Sequence, residues 1–247
     1  PKPLTSVSLD LRALWRNSPI AVFAILMVGI SNASFGTLAA VYGARIGLEL
    51  SSIALFASIP ILAGALSQVP VGIASDRYDR RVVLVVIASI AVIADGLFLF
   101  GGFTTPGVVM TVAALFGATV YAMYPVIVAH ASDHAAPGTF IQVSGGLLLV
   151  FGIGSIIGPT VAGFAMSSYG ETMLFAVTAA AHVGLVVFAL IRLKYAPAVA
   201  AEKKGSFQAT PMGRASTPET AALAATEVEF RAEPKYEVDP ESPKQDI

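Results

Sequence analysis

RRVVLVVIASIAVIADGLFLFGG, Arg80 to Gly102, is the stretch that decides the fold class. Two arginines open it, and from Val82 to Phe100 a single ionisable side chain, Asp95, interrupts an otherwise apolar run. About 20 such residues, wound as helix, cross the roughly 30 Å hydrocarbon core of a bilayer. The run lacks the alternation of a barrel strand, and an open sheet edge has no place in lipid, so it reads as a transmembrane helix.

Outward from this block the same pattern repeats. Six apolar blocks fall at 19–43, 51–74, 82–102, 107–129, 141–166 and 171–194, separated by short polar or Gly/Pro-bearing breaks. Over all 247 residues the chain is 55% hydrophobic and 13% charged, about half the charge of an ordinary soluble domain, with mean hydropathy +0.76. These numbers predict an all-α membrane protein with six transmembrane helices. A formal net charge of −1 offers no basic footprint for nucleic acid, and without Cys there is no disulfide framework or thiolate metal site.

The remaining charge is segregated. Residues 195–247 hold six of the fifteen Lys/Arg and nine of the sixteen Asp/Glu, together with Pro197, Pro211, Pro218, Pro234, Pro240 and Pro243. Such a composition buries too little apolar area to offset chain entropy, which predicts a disordered tail. Residues 1–18 read as an interfacial lead-in, with Leu4, Leu11, Leu14 and Trp15 set among Arg12 and Arg16. The first residue is Pro1, as in a fragment entered between two halves of a longer protein.

Lys and Arg also set the orientation. Lys2, Arg12, Arg16, Arg77, Arg80, Arg81, Arg192 and Lys194 fall on one side, and Arg45 alone on the other. Both termini are therefore expected in the cytoplasm, with the chain in a cell membrane such as a bacterial inner membrane. Sliding the chain by 91 residues, three spans, aligns Gly72, Ala74 and Tyr78 with Gly163, Ala165 and Tyr169. An odd number of spans inverts the unit, so the expected architecture is two inverted three-helix repeats.

The most specific motif is GIASDRYDRR, Gly72 to Arg81. Gly72 permits a close helix approach, and Asp76 is placed to accept charge-assisted bonds from Arg77, Arg80 or helix-end amides. A cluster of this kind, completed by Arg81, can latch neighbouring helices in one state and release them in another. It also fits a plain positive-inside loop.

The spacing G-x-x-x-D-R-x-x-R-R after a second apolar span resembles the cytoplasmic signature of the major facilitator superfamily. AVYGARIGLELSSIALF, GALSQVPVGIASDRYDRR, YPVIVAHASD and GGLLLVFGIGSIIGPTVAG look like the carboxy-terminal halves of a bacterial branch of that superfamily. The likeness covers residues 10–195. It implies one six-helix half of a twelve-helix permease, requiring a missing N-terminal half or a second copy of itself, and secondary transport of a small molecule by alternating access. The family's pattern often has Gly where this chain has Asp79, which questions the turn geometry.

In the fifth span, Gly154, Gly158 and Ala162 form a small-residue stripe and Pro159 removes a backbone donor. The resemblance implies a hinge between bundles; ordinary tight packing is the alternative. Polar residues within spans point to a solute pathway. Asn32, Asp95, Thr119 and His182 fall near mid-depth, about 15–20 Å from the Arg-rich ends at 1.5 Å per residue. By resemblance the first and fourth spans line the cavity, making Ser31, Asn32, Ser34, Thr119, Tyr121 and Tyr124 candidate substrate contacts; bonding to nearby carbonyls is the alternative. Asp95 and His182 suggest a buried pair that couples transport to protons, or a structural or lipid-facing neutral Asp95.

HASDH, with His130, Asp133 and His134, has metal-like spacing but no further ligand to complete a site, and such residues are common beside a helix end, so no metal site is expected. No Walker loop and no nucleophile–base spacing is present, so no cofactor and no enzymatic activity are expected. The competing reading is a non-transporting receptor or assembly module.

Overall fold

The computed structural model describes residues 10–136 and 139–195; the expected tail from residue 196 onward and the first nine residues lie outside them. Among the described residues there are seven helices and no strand. They are α1 (Leu11–Asn17), α2 (Pro19–Arg45), α3 (Leu50–Arg77), α4 (Arg80–Phe100), α5 (Pro106–Asp133), α6 (Phe140–Tyr169) and α7 (Met173–Tyr195). The last six are each long and apolar enough to cross a bilayer.

Local chemistry sets where they begin and end. Pro19 and Pro106 stand in the first turns of α2 and α5, where a missing N–H costs nothing. Asp10 caps α1 by accepting from the Ala13 amide at 2.9 Å. Gly170, at φ +106°, ends α6 in a conformation that side chains with a Cβ rarely adopt. Several helices outrun their apolar blocks: α3 continues through Ser75, Asp76 and Arg77, and α5 through His130 to Asp133. Polarity there marks the end of the hydrocarbon layer without breaking the helix.

The helices pair across the chain. α2 packs chiefly on α6, α3 on α5, and α4 on α7, with α4 also against α5 and α2 against α7. Exchanging α2 with α5, α3 with α6 and α4 with α7 maps these pairings onto themselves, which is consistent with two inverted three-helix repeats.

Small residues hold the two main crossings. A Cβ on Gly154 or Gly158 would run into the carbonyls of Leu26 and Ile30, and one on Gly29 into that of Phe151. Gly117 of α5 lies equally close to the Pro60 backbone of α3, beside Gly64. Backbone approach of this kind replaces the hydrophobic driving force that lipid cannot supply. Toward the Arg45 end, Phe35, Tyr42, Phe56, Phe98, Phe116 and Phe175 interlock, with Phe98 and Phe175 stacked at 4.0 Å between centroids.

Burial is uneven. Only 17% of the apolar window of α3 and 28% of that of α6 is buried, against 39–61% for the other four spans. Both thus expose apolar length, including Leu62, Leu66 and Val69 on α3 and Ile153, Ile156 and Phe164 on α6.

Candidate functional site

Three polar constellations stand out: a charge cluster at the Arg80 end, a row of polar side chains on α2 and α5, and a buried triad between α4 and α7.

At the Arg80 end, the cation drawn inside is Arg80. Its Nε donates to Asp133 Oδ2 at 2.8 Å, Nη1 to Ser75 Oγ at 3.2 Å, and Nη2 lies 3.5 Å from Asp76 Oδ1. Arg80 and Asp133 are almost fully buried, whereas the Asp76 carboxylate is 41% exposed. One guanidinium thus ties the last turns of α3 and α5 to the first turn of α4. It also lies against two helix C-termini, where positive charge is favoured. Gly72 is buried in α3 and Arg77 is exposed. Asp133, noted in the sequence only for its spacing to two histidines, is the principal anion. Its signal was an acid in the last turn of a span that ends on the arginine-rich side. Among the described residues no group of three His, Asp or Glu could hold a metal.

Asp79 answers the question raised by the missing glycine. Its φ is −62° and ψ 120°, extended backbone open to any residue, and its carboxylate caps α4 by accepting from the Arg81 amide at 2.9 Å. Arg81 Nη2 returns to Asp79 Oδ2 at 2.7 Å. Burial pushes the Asp79 carboxyl up, but hydrogen bonds and charge from Arg81 outweigh it and hold the group below the usual carboxylate range.

The side chains expected to line a cavity separate into two sets. Ser34 is fully buried at the α2–α6 crossing beside Gly158 and donates to its own helix at Ile30 O, 2.7 Å. Thr119 is buried and donates to Phe116 O at 2.8 Å. Ser31 is fully buried with an unpartnered hydroxyl. Asn32 differs: neither Oδ1 nor Nδ2 has a partner. Both atoms are buried, whereas Gly36, one turn on, is exposed and a Cβ there would meet nothing within 4 Å. On α5, Tyr121 and Tyr124 are half-buried, the former against Gly64 of α3 and the latter edge-on to Phe151 of α6 at 5.5 Å.

In the interior, Asp95 and His182 come together. Asp95 Oδ2 lies 2.6 Å from His182 Nδ1, and Asp95 Oδ1 lies 2.6 Å from the Thr178 hydroxyl, with all three side chains fully buried. Asp95 therefore does not face lipid. Thr178 was not anticipated, although its place one turn before His182 puts it on the same helical face. Gly154 and Gly158 face α2, and Pro159 follows them within α6. At the far end Arg45, the lone cation there, donates to Met166 O at 2.7 Å and so caps α6.

The described helices thus carry a charge cluster at one end, polar side chains on α2 and α5, and exposed apolar lengths on α3 and α6. The Major Facilitator Superfamily model matches residues 7–233. The chain belongs to that superfamily. An uncharacterized MFS-type transporter, YcaD of Salmonella arizonae, is 27% identical over 69% of this chain and 43% of its own length. Another, from Enterobacter sp. (strain 638), is 28% identical over 65% of this chain and 41% of its own. This member of the superfamily thus spans less than half the length of the curated relatives it matches. In fold it is similar to the crystal structure of an auto-inhibited POT family peptide transporter, with TM-score 0.64 and 13% identity over 87% of this chain and 46% of that one. These relatives are transporters, not enzymes.

Proposed function

We propose that this chain is one six-helix half of a secondary active transporter that moves a small solute by alternating access. The observation that carries the reading is Asn32. An amide with both polar atoms unpartnered, about 20 Å from the start of α2, is costly in a membrane protein unless something polar comes to meet it. Tyr121 and Tyr124, on the helix that exchanges with α2 in the pairing pattern, complete the candidate contacts. Ser31 is a further candidate, while the hydroxyls of Ser34 and Thr119 are already committed to their own helices.

The second half docks on α3 and α6, the two spans with most apolar surface uncovered. A second copy of this chain would present the same chemistry and is the alternative occupant. The Asp76–Arg80–Asp133 cluster holds three helix ends together on one side of the midplane site. Opening and closing on that side would remake the partly exposed Asp76 contact before the buried Asp133 one. In the membrane the arginine-rich end faces the cytoplasm, following the positive-inside rule, and a bacterial cell membrane is the expected setting.

The test is uptake and efflux by the full-length protein in proteoliposomes, across a panel of metabolites and drugs, with and without a pH gradient. Saturable flux of one solute class, lost in Asn32→Ala while protein level and thermal stability are kept, supports the reading. Flux unaffected by substitutions at Asn32, Tyr121 and Tyr124 would place the pathway elsewhere.

A further inference from the structure

The α4–α7 seam holds more than a charge pair. Thr178 Oγ is 2.6 Å from Asp95 Oδ1 and also 3.2 Å from the carbonyl oxygen of Phe175, one turn back on its own helix. A hydroxyl has a single proton, so it donates to one of these oxygens at a time. If it donates to Asp95, the carboxylate accepts from Thr178 at Oδ1 and from His182 Nδ1–H at Oδ2. If it donates to Phe175 O, its lone pair faces Oδ1, and the short contact calls for a proton on Asp95. The seam therefore has a complete set of partners for the carboxylate and a complete set for the acid.

His182 rules the ion pair out of this conformation. Its Nε2 is fully buried and unpartnered. Were His182 a cation paired to a carboxylate, Nε2 would carry an N–H facing no acceptor, with full desolvation cost. With a neutral ring bearing its proton on Nδ1, Nε2 is a bare lone pair, and Asp95 sheds its charge if it holds a proton at Oδ1. Among the described residues no Lys or Arg stands beside the seam to make a charged form cheaper. On the helices around the seam, Arg80, Arg81, His130, Asp133, Arg192 and Lys194 lie in the turns at one end and Arg45 at the other, with Glu171 just before α7. α5 offers the Phe116 ring, 6.1 Å from the imidazole, and α2 offers Tyr42, packed on Phe98 and Phe175.

We propose that Asp95, Thr178 and His182 form a one-proton binding site in the membrane core, with Asp95 as the carrier, Thr178 as a reversible donor–acceptor and His182 as a positioning residue. In the loaded form Asp95 Oδ1–H donates to Thr178, Thr178 donates to Phe175 O, and His182 Nδ1–H donates to Oδ2. Unloading transfers the Oδ1 proton to water admitted when the seam opens; the Thr178 hydroxyl then swings from Phe175 O to Oδ1 and the site gains one negative charge. The use of this proton to drive transport rests on the function proposed above, whereas the site itself does not.

Infrared difference spectroscopy of the full-length protein in lipid, with isotope-labelled aspartate, reads the acid directly. The expected result is a protonated-carboxyl band that shifts with the label, vanishes in Asp95→Asn and moves in Asp95→Glu. It should be lost reversibly as pH rises, and shift toward the position of an unbonded acid in Thr178→Val. An Asp95 band absent at every pH at which the protein stays folded means an ion pair or a bare carboxylate and overturns the proposal. So does a band that stays unchanged until the protein unfolds, since that proton is fixed. A titrating Asp95 band in a protein that moves no solute would sink the transport reading and leave the proton site standing.

Discussion

Replacing Arg80 with Met tests the charge cluster as a physical device. The substitution keeps most of the chain length and removes the charge, leaving the Asp133 carboxylate, 2% exposed, without its 2.8 Å partner. Breaking a buried pair by deleting one member costs about 3–5 kcal/mol, because the survivor stays desolvated and uncompensated. The Asp76 contact is longer, at 3.5 Å, and half in solvent, so its share is held to about 0–1 kcal/mol. Arg80→Met is therefore expected to cost at least about 3 kcal/mol, roughly a 150-fold change in the folding constant. Adding Asp133→Asn should recover about 2 kcal/mol, because removing both charges of a buried pair is close to neutral. Adding Asp76→Asn should recover under about 1 kcal/mol. Equilibrium unfolding of the full-length protein in mixed micelles, run as two double-mutant cycles through Arg80, measures both couplings. A coupling to Asp76 as large as that to Asp133, or an Arg80→Met cost below about 1 kcal/mol, would refute the assignment of Asp133 as the principal anion.

Gly158→Leu should abolish stable folding by forcing α2 and α6 apart, whereas Gly152→Leu, where a Cβ meets nothing within 4 Å, should be tolerated; thermal unfolding in lipid separates them. Asp79→Ala should cost about 1 kcal/mol through loss of the α4 cap. Because the folded carboxyl lies below its usual range, that contribution is present above the ordinary Asp pKa near 4 and fades as pH falls through the lower folded value. The wild-type and Asp79→Ala stability curves should accordingly converge only in acid, and a constant gap down to the lowest pH would contradict the pairing with Arg81. Asn32→Leu should leave thermal stability unchanged or raised, since it removes two unpartnered polar atoms, while eliminating solute flux; a clear loss of stability would show that the amide has a structural partner.

Most of the fold was legible because a bilayer turns composition into geometry. Long apolar runs with little charge had to be spans, and counting them yielded six, in agreement with the six long helices. The helix ends were less legible: α3 and α5 run on through charged turns, and only capping by Tyr78, Asp79 or His134 shows where the backbone turns away. The pairings were invisible. A stripe at Gly154 and Gly158 announces a close approach on α6, but nothing in the spacing names Leu26 and Ile30 of α2 as the backbone approached. Ser34 and Thr119 looked equal to Asn32 in sequence, because a hydroxyl bonded to its own helix and one aimed at a cavity are the same letter.

What sorts these polar residues is an accounting of partners that only three dimensions supply. Inside a membrane each polar group is met by its own helix, by another helix, or by something outside the bundle. Ser34 and Thr119 take the first course, and Arg80 with Asp133 and Asp95 with Thr178 and His182 take the second. Among the described residues the buried atoms left over are those of Ser31 and Asn32 on α2 and Nε2 of His182 on α7, with Ser18 and Ser144 nearer the Arg80 end. Ordinary packing would replace such groups with apolar ones at a gain in stability. On the function proposed above, Ser31 and Asn32, left over at mid-depth on α2, are the groups a solute would meet, while Asp95, Thr178 and His182 answer chiefly to one another between α4 and α7.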